Sequence, residues 1–136
     1  MVQQCTRQRL QAEGKPLVEL AASTKEVRAE LASLLKTLQR ELPVPFKVRL
    51  RMVKMKECYG TCLLTENKRD GRHFLINIHP PLAPVTVEGR YVSAETLLHE
   101  YAHAMSWSTA SPEFTGGHGE SWACAYAACY RLIHGD

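Results

Sequence analysis

The sequence predicts one α+β domain, and three features of the chain lead to this fold class. A segment with leucines at helical spacing comes first, three short runs typical of β-strands follow, and two further helical segments end the chain. The 136 residues, 45% of them hydrophobic, suit a single modest core. We therefore expect an N-terminal arm over residues 1–21 and a domain over residues 22–136.

The first helix is predicted over residues 23–42. Ser23 and Glu26 have the spacing of a capping box. Apolar residues recur at helical spacing along one face, namely Val27, Leu31, Leu34, Leu35, Leu38 and Leu42. Pro43 follows directly, and because proline disrupts a helix interior, the helix should end there.

Three strand-like runs come next and predict a three-stranded, mostly antiparallel sheet. In FKVRLRM, apolar and basic residues alternate, which is typical of a strand with one buried face. The runs YGTCLLTE and RHFLINI flank Asp70 and Gly71, a pair that signals a hairpin turn. The prolines between residues 80 and 84 then predict an extended connection.

Two helices are predicted to close the domain. Ser93 is a suitable N-cap for the first, and the second should cover roughly residues 118–134 and end at Gly135. One face of the first helix carries the apolar residues that we expect in the core, namely Leu97, Leu98, Tyr101, Ala104 and Met105.

The other face of that helix carries the pattern H-E-x-x-H, formed by His99, Glu100 and His103. At about 100° per residue, the two histidines lie about 40° apart around the helix and one turn apart along its axis. Both imidazoles can therefore reach one ion. Glu100 lies within about 60° of His103 on the same side.

This pair of histidines suits Zn²⁺, which in a catalytic site needs a third protein ligand and leaves a fourth position open. A metzincin would have glycine and histidine where this chain has Ser106 and Thr109, so that class is excluded. Glu120 is available for a thermolysin-like arrangement. His118 is the better candidate, because the two glycines before it let the backbone turn tightly and it begins the last helix.

The stretch LLHEYAHAM, with His118 fifteen residues after His103 inside GHGESW, resembles the SprT-like zinc metallopeptidase domain of the Spartan family of DNA–protein crosslink proteases. That pattern places glycine after the third histidine and an aromatic residue three positions later, here Trp122. The resemblance implies a zincin-like fold with one Zn²⁺ per chain, held by His99, His103 and His118. It also implies that Glu100 is the general base. Trp122, one helical turn after His118, is expected either to pack beneath the metal and orient that ligand or simply to fill the core.

The resemblance further implies hydrolysis of peptide bonds in protein substrates, including proteins associated with DNA or crosslinked to it. The single-module form resembles SprT-like proteins of phages and prophages. Two other classes of function stay open: a non-catalytic binding module with a structural zinc, and a zinc hydrolase that acts on a non-peptide bond. The presence of Glu100 argues against the binding module, since a structural site has no need of that carboxylate.

Basic residues on the first strand, Lys47, Arg49 and Arg51, could form a face for nucleic-acid phosphates. Alternating charge on a strand is more often its solvated side, and a net charge of +3 does not itself indicate such a partner.

Five cysteines without a C-x-x-C pair indicate a reducing compartment. With neither a long apolar run nor a signal peptide, the sequence predicts a cytoplasmic protein without a membrane span. Three further histidines are interpreted as incidental: His73, His79 and His134.

Overall fold

Three helices and a three-stranded mixed sheet form most of the part of the chain that the computed structural model describes, which comprises residues 18–19, 24–56, 58–79, 84–85, 92–107 and 118–135. The elements in chain order are β1 (Val18–Glu19), α1 (Thr24–Glu41), β2 (Lys47–Met52), β3 (Gly60–Asn67), β4 (Gly71–Ile78), β5 (Pro84–Val85), α2 (Val92–Met105) and α3 (Glu120–His134). The predicted α+β fold class is therefore confirmed. None of the described helices combines the length and hydrophobicity that a membrane span requires.

Helix α1 buries one stripe of its surface in the core. Val27, Leu31, Leu35 and Leu38 are all buried, and their spacing places them on one side of the helix. The helix ends at Glu41, two residues before Pro43, as the sequence predicted. Ser23, the predicted cap, lies outside the described residues.

The main sheet has the strand order β2-β4-β3. Strands β3 and β4 form the predicted antiparallel hairpin, whose turn ends at Gly71 with a φ of 65°, a left-handed conformation that favours glycine. Strand β2 pairs with β4 in parallel, so the sheet is mixed and only one of its two pairings is antiparallel. Because the chain after β2 crosses to the far side of β4, the neighbour of β2 is not the next strand in sequence.

Helix α2 packs between the sheet, α1 and α3. Its predicted core face is buried at Leu97, Leu98, Tyr101 and Ala104. The Tyr101 hydroxyl donates a hydrogen bond of 2.6 Å to the Leu42 carbonyl just after α1, which fixes α2 against that helix. Burial raises the pKa of Tyr101 to about 12, so this phenol stays a donor.

A second, two-stranded antiparallel pairing joins β1 and β5, with Val18 opposite Val85. The sequence predicted an extended connection around β5 but did not predict this pairing. The rest of that connection lies outside the described residues.

Candidate metal centre

Two of the three predicted metal ligands lie on one buried helix. His99 and His103 are 5% and 3% exposed, and their ring centroids are 5.1 Å apart, as expected one turn apart on α2. His118 precedes α3 and is exposed. Its Nε2 atom lies 3.0 Å from Nε2 of His99. The third histidine therefore reaches the other two from a different element.

The three imidazoles converge closely enough to share one ion. One nitrogen of each can be chosen so that the three atoms lie within 4.8 Å of one another. Ligands bonded tetrahedrally to one Zn²⁺ at about 2.0–2.1 Å lie about 3.3–3.4 Å apart, so small movements of the rings would bring the three nitrogens to one ion. Among the described residues, this is the one group of histidine, cysteine and carboxylate side chains placed to hold a metal, and exposed Glu120 is not part of it.

Several polar atoms at the cluster are buried without a protein partner. Both ring nitrogens of His103 and the Oε2 atom of Glu100 lack a hydrogen bond. Leaving such an atom unpaired costs on the order of 1–3 kcal/mol, so this arrangement fits a site built for a ligand. Burial, with a smaller contribution from His118, lowers the pKa of His103 to about 4. Burial also lowers the pKa of His118. Both rings are therefore neutral near pH 7, which is the form that binds zinc.

Glu100 lies beside the cluster, on the same helix, and only 1% of its surface is exposed. Burial raises the pKa of its carboxyl to about 8, because the charged form is poorly solvated there. Burial also raises the pKa of the nearby Cys62 thiol, with a smaller contribution from the charge of Glu100. This thiol is therefore unreactive. A buried carboxyl whose pKa lies near neutrality is suited to taking up and releasing a proton.

Close approach of β3 to α2 depends on Gly60. A Cβ atom at this position would lie 2.7 Å from Cγ2 of Thr96, 3.0 Å from the Asn77 carbonyl oxygen and 3.3 Å from Cγ of Glu100. A side chain there would therefore push the strand away from the helix beside Glu100. No local pattern in the sequence identifies this glycine, because the contacts join residues far apart in the chain.

Trp122 packs directly against the histidines, on the first turn of α3. Its indole Nε1 donates a hydrogen bond of 3.2 Å to the carbonyl of His99. Its ring centroid lies 4.5 Å from that of His118 and 4.8 Å from that of His99. The structure thus places Trp122 where it can hold two of the proposed ligands at once.

One further group near the cluster was not identified from sequence. Glu95, one turn before His99 on α2, contacts Tyr126 and His134 of α3. His134 was expected to be incidental, and its contact with Glu95 corrects that expectation. Ring-bearing residues recur at every fourth position from His118 to His134, and this spacing was the signal that could have identified it.

The basic residues of β2 are brought together on one face, but they are paired within the protein. Nζ of Lys47 lies 2.9 Å from one oxygen of Asp70, and Nε of Arg49 lies 3.7 Å from the other. Arg51 donates a hydrogen bond of 3.0 Å to Oδ1 of Asn77. The hydrogen bond from Lys47, the charges of Lys47 and Arg49, and a hydrogen bond from Asn67 keep the pKa of Asp70 below its usual value of 3.8.

One family model matches most of the chain. The model of the SprT-like family matches residues 27–134, a span that includes most of α1, the main sheet, α2 and α3. Searches of curated proteins and of solved structures found no significant match. Because the match spans most of the 136 residues, the chain belongs to the SprT-like family.

Proposed function

We propose that this protein is a zinc-dependent peptidase with one catalytic Zn²⁺ per chain. The observation that carries the proposal is the set of buried atoms without partners on His103 and Glu100, next to three converging imidazoles. His99, His103 and His118 would hold the metal. Membership of the SprT-like family, whose domain resembles metallopeptidases, supports the same function.

In this proposal, Glu100 is the general base. A bound Zn²⁺ would supply Lewis acidity, lowering the pKa of a water molecule at the site toward about 7 and polarising the scissile carbonyl. Glu100 accepts the proton of the attacking water on Oε2, the oxygen that has no protein partner, and passes it to the leaving amine. The exposure of His118 leaves the cluster accessible from that side.

We place the substrate along β3. This strand pairs with β4 on one side only within the described part of the chain, so its other edge can accept an extended peptide. It is also the strand beside Glu100, since a Cβ atom at Gly60 would lie 3.3 Å from Cγ of that residue. An extended polypeptide bound there would bring its backbone carbonyls toward the base, which favours protein substrates over compact non-peptide ones.

The test is cleavage of an unfolded protein, or of the chain itself, by wild-type protein and by Glu100→Gln. Glutamine keeps the size and the helix propensity of glutamate but cannot accept the proton. We expect the rate to fall about 10²–10⁴-fold at unchanged zinc content, because a positioned base contributes about that factor. The matched control is Glu120→Gln, a substitution on an exposed residue outside the cluster, which should cleave like wild type.

Two results would overturn the peptidase assignment. If Glu100→Gln cleaved as fast as wild type, Glu100 would be excluded as the general base. Zinc-loaded wild type that cleaves no polypeptide would favour the binding module, or a hydrolase of non-peptide bonds if a panel of ester and amide substrates is turned over.

We also propose that β2 contacts nucleic acid, which would bring DNA-associated substrates to the site. The side chains of Lys47 and Arg49 are 57% and 40% exposed although both are near Asp70, so they can reach phosphates. Replacing Lys47, Arg49 and Arg51 by glutamine should reduce the slope of log K against log salt by about 0.7–0.9 for each phosphate that the protein no longer neutralises. The control replaces Lys25, Arg28 and Lys36 of α1, which removes the same charge elsewhere. Equal nucleic-acid binding by both variants would exclude the basic face of β2 as the contact surface.

A further inference from the structure

A row of ring-bearing side chains begins just before α3 and runs along that helix, and its member Tyr130 is exposed. The members follow one another at every fourth position and are His118, Trp122, Tyr126, Tyr130 and His134. Neighbouring ring centroids are 4.5, 5.2, 6.4 and 4.3 Å apart along the row. The row is therefore continuous from the histidine cluster to the last residue of α3.

Helix α2 faces this row with a matching series of polar residues. His103 contacts His118 and Trp122, and His99, one turn earlier, contacts both of these and also Tyr126. Glu95, a further turn earlier, contacts Tyr126 and His134. The contacts move in opposite directions along the two helices, so the helices are antiparallel. Each turn of α2 thus meets a defined turn of α3.

Glu95 ends this series, one turn before His99. Its Oε1 atom lies 2.9 Å from Nε2 of His134, a distance typical of an ion pair although the atoms are not aligned as a hydrogen bond. Its Oε2 atom accepts a hydrogen bond of 3.4 Å from the Tyr126 hydroxyl. Only 8% of each side chain of the Glu95–His134 pair is exposed.

The fully buried apolar residues of α3 are Ala125 and Cys129, both small. Two larger residues, Tyr126 and Ile133, pack against the core but are only partly buried. Small side chains permit sliding more readily than interlocked large ones do.

Directional contacts between the helices include the hydrogen bond from Trp122 to His99 and the two contacts of Glu95. The Cys129 thiol also contacts the Met105 sulfur, at 3.5 Å.

We propose that Glu95 is a positioning residue for the histidine cluster, acting through Tyr126 and His134. By holding α3 at one register on α2, it fixes the place where α3 begins. His118 lies two residues before that point and is exposed, so its meeting with His99 and His103 depends on where the helix starts. The inference rests on the metal site of the proposed function and adds the residues that preset it.

The experiment measures zinc affinity by competition with a chelator, in the full chain, for Glu95→Gln, Tyr126→Phe and His134→Gln. Glu95→Gln should weaken zinc binding about 10-fold, at the low end of the 10–100-fold effect of residues behind metal ligands. Because all three residues act through one carboxylate, the double variant Glu95→Gln with His134→Gln should lose less affinity than the sum of the single losses. The absorption bands of bound Co²⁺, which report ligand geometry, should shift in the same variants.

The control is Cys129→Ala, which removes a buried contact with Met105 at the same helix interface. It should lower the free energy of unfolding while leaving zinc affinity within about twofold, because Cys129 belongs neither to the row of ring-bearing side chains nor to the polar series on α2. Should Glu95→Gln fail to fold, Tyr126→Phe and His134→Gln must each weaken zinc binding instead.

The outcomes separate this inference from the proposed function. Wild-type zinc affinity and an unchanged Co²⁺ spectrum in the Glu95 and His134 variants would overturn the inference alone. An equal loss of affinity in Cys129→Ala would also overturn it, because general loosening would then explain the effect. Wild type that binds zinc but cleaves nothing would overturn the peptidase only, whereas wild type that binds no zinc would overturn both.

Discussion

The histidine cluster and the basic strand β2 both bring polar side chains together, but they differ in whether those side chains have partners within the protein. On β2, Lys47 and Arg49 share Asp70, and Arg51 is bonded to Asn77. At the cluster, both nitrogens of His103 and one oxygen of Glu100 are buried without a partner. Paired groups need no further partner, whereas buried unpaired groups beside three converging imidazoles fit a site for a ligand.

The two carboxylates of these regions show the same contrast through their pKa values. Burial raises the pKa of Glu100 to about 8. The hydrogen bond and positive charge of Lys47, together with Arg49, lower the pKa of Asp70. Since perturbed groups without a structural partner concentrate at functional sites, the comparison favours the cluster over β2 as the centre of chemistry.

The largest effect is expected for His103→Leu. This variant should lose at least about 100-fold in zinc affinity, because outer partners of metal ligands alone account for about 10–100-fold. In the presence of a chelator, its free energy of unfolding should equal or exceed that of wild type, since the substitution removes buried unpaired nitrogens. Denaturant titration of the metal-free proteins measures this difference.

His79→Leu is the contrasting substitution. Nδ1 of His79 accepts a hydrogen bond of 2.8 Å from the backbone N–H of Met55, so this histidine is already satisfied. The variant should lose about 1 kcal/mol of stability and keep its zinc affinity. A metal-free His103→Leu that is destabilised as much as His79→Leu would contradict the distinction between paired and unpaired buried histidines.

An intermediate effect is expected for Glu100, which should make the free energy of unfolding of the metal-free protein depend on pH. Because the folded-state pKa is raised from 4.5 to about 8, the folded protein binds the proton more tightly than the unfolded chain does. The contribution of Glu100 is fully present below pH 4.5 and is lost as pH rises through about 8. The stability of wild type relative to Glu100→Gln should therefore fall by on the order of a few kcal/mol across this window. A difference that is constant with pH would show that the carboxyl is solvated.

The smallest effect, with the opposite sign, is expected at Asp70. Its pKa is lowered in the folded state, so its stabilisation is present above the usual value of 3.8 and is lost as pH falls through the lowered value. Wild type should be more stable than Asp70→Asn near neutral pH, and the difference should shrink in acid. Thermal unfolding at a series of pH values measures it, and a gap that widens in acid would refute the pairing with Lys47 and Arg49.

Local patterns predicted much of this fold. The stripe of α1, the hairpin turn at Gly71, and the end of α3 at Gly135 follow from residues near one another in the chain, and the structure confirms them. The histidines of α2 were located for the same reason, since helical spacing alone brings them together.

Long-range contacts account for what the sequence did not predict. Alternation along β2 identifies a strand but not its neighbour, so the parallel pairing with β4 could not be derived. The Glu95 contact with Tyr126 joins residues 31 apart, and the Lys47 contact with Asp70 joins residues 23 apart. No local pattern encodes such partners, and they decide which polar groups are satisfied.

The metal content of purified protein tests whether His99, His103 and His118 together bind one zinc ion. Wild type should hold about one zinc per chain, and His118→Ala should lose it, because two protein ligands rarely retain zinc. Glu120→Ala, next to the cluster but outside it, should keep the metal. Wild type without zinc, or full occupancy in His118→Ala with loss in Glu120→Ala, would contradict the three-histidine site.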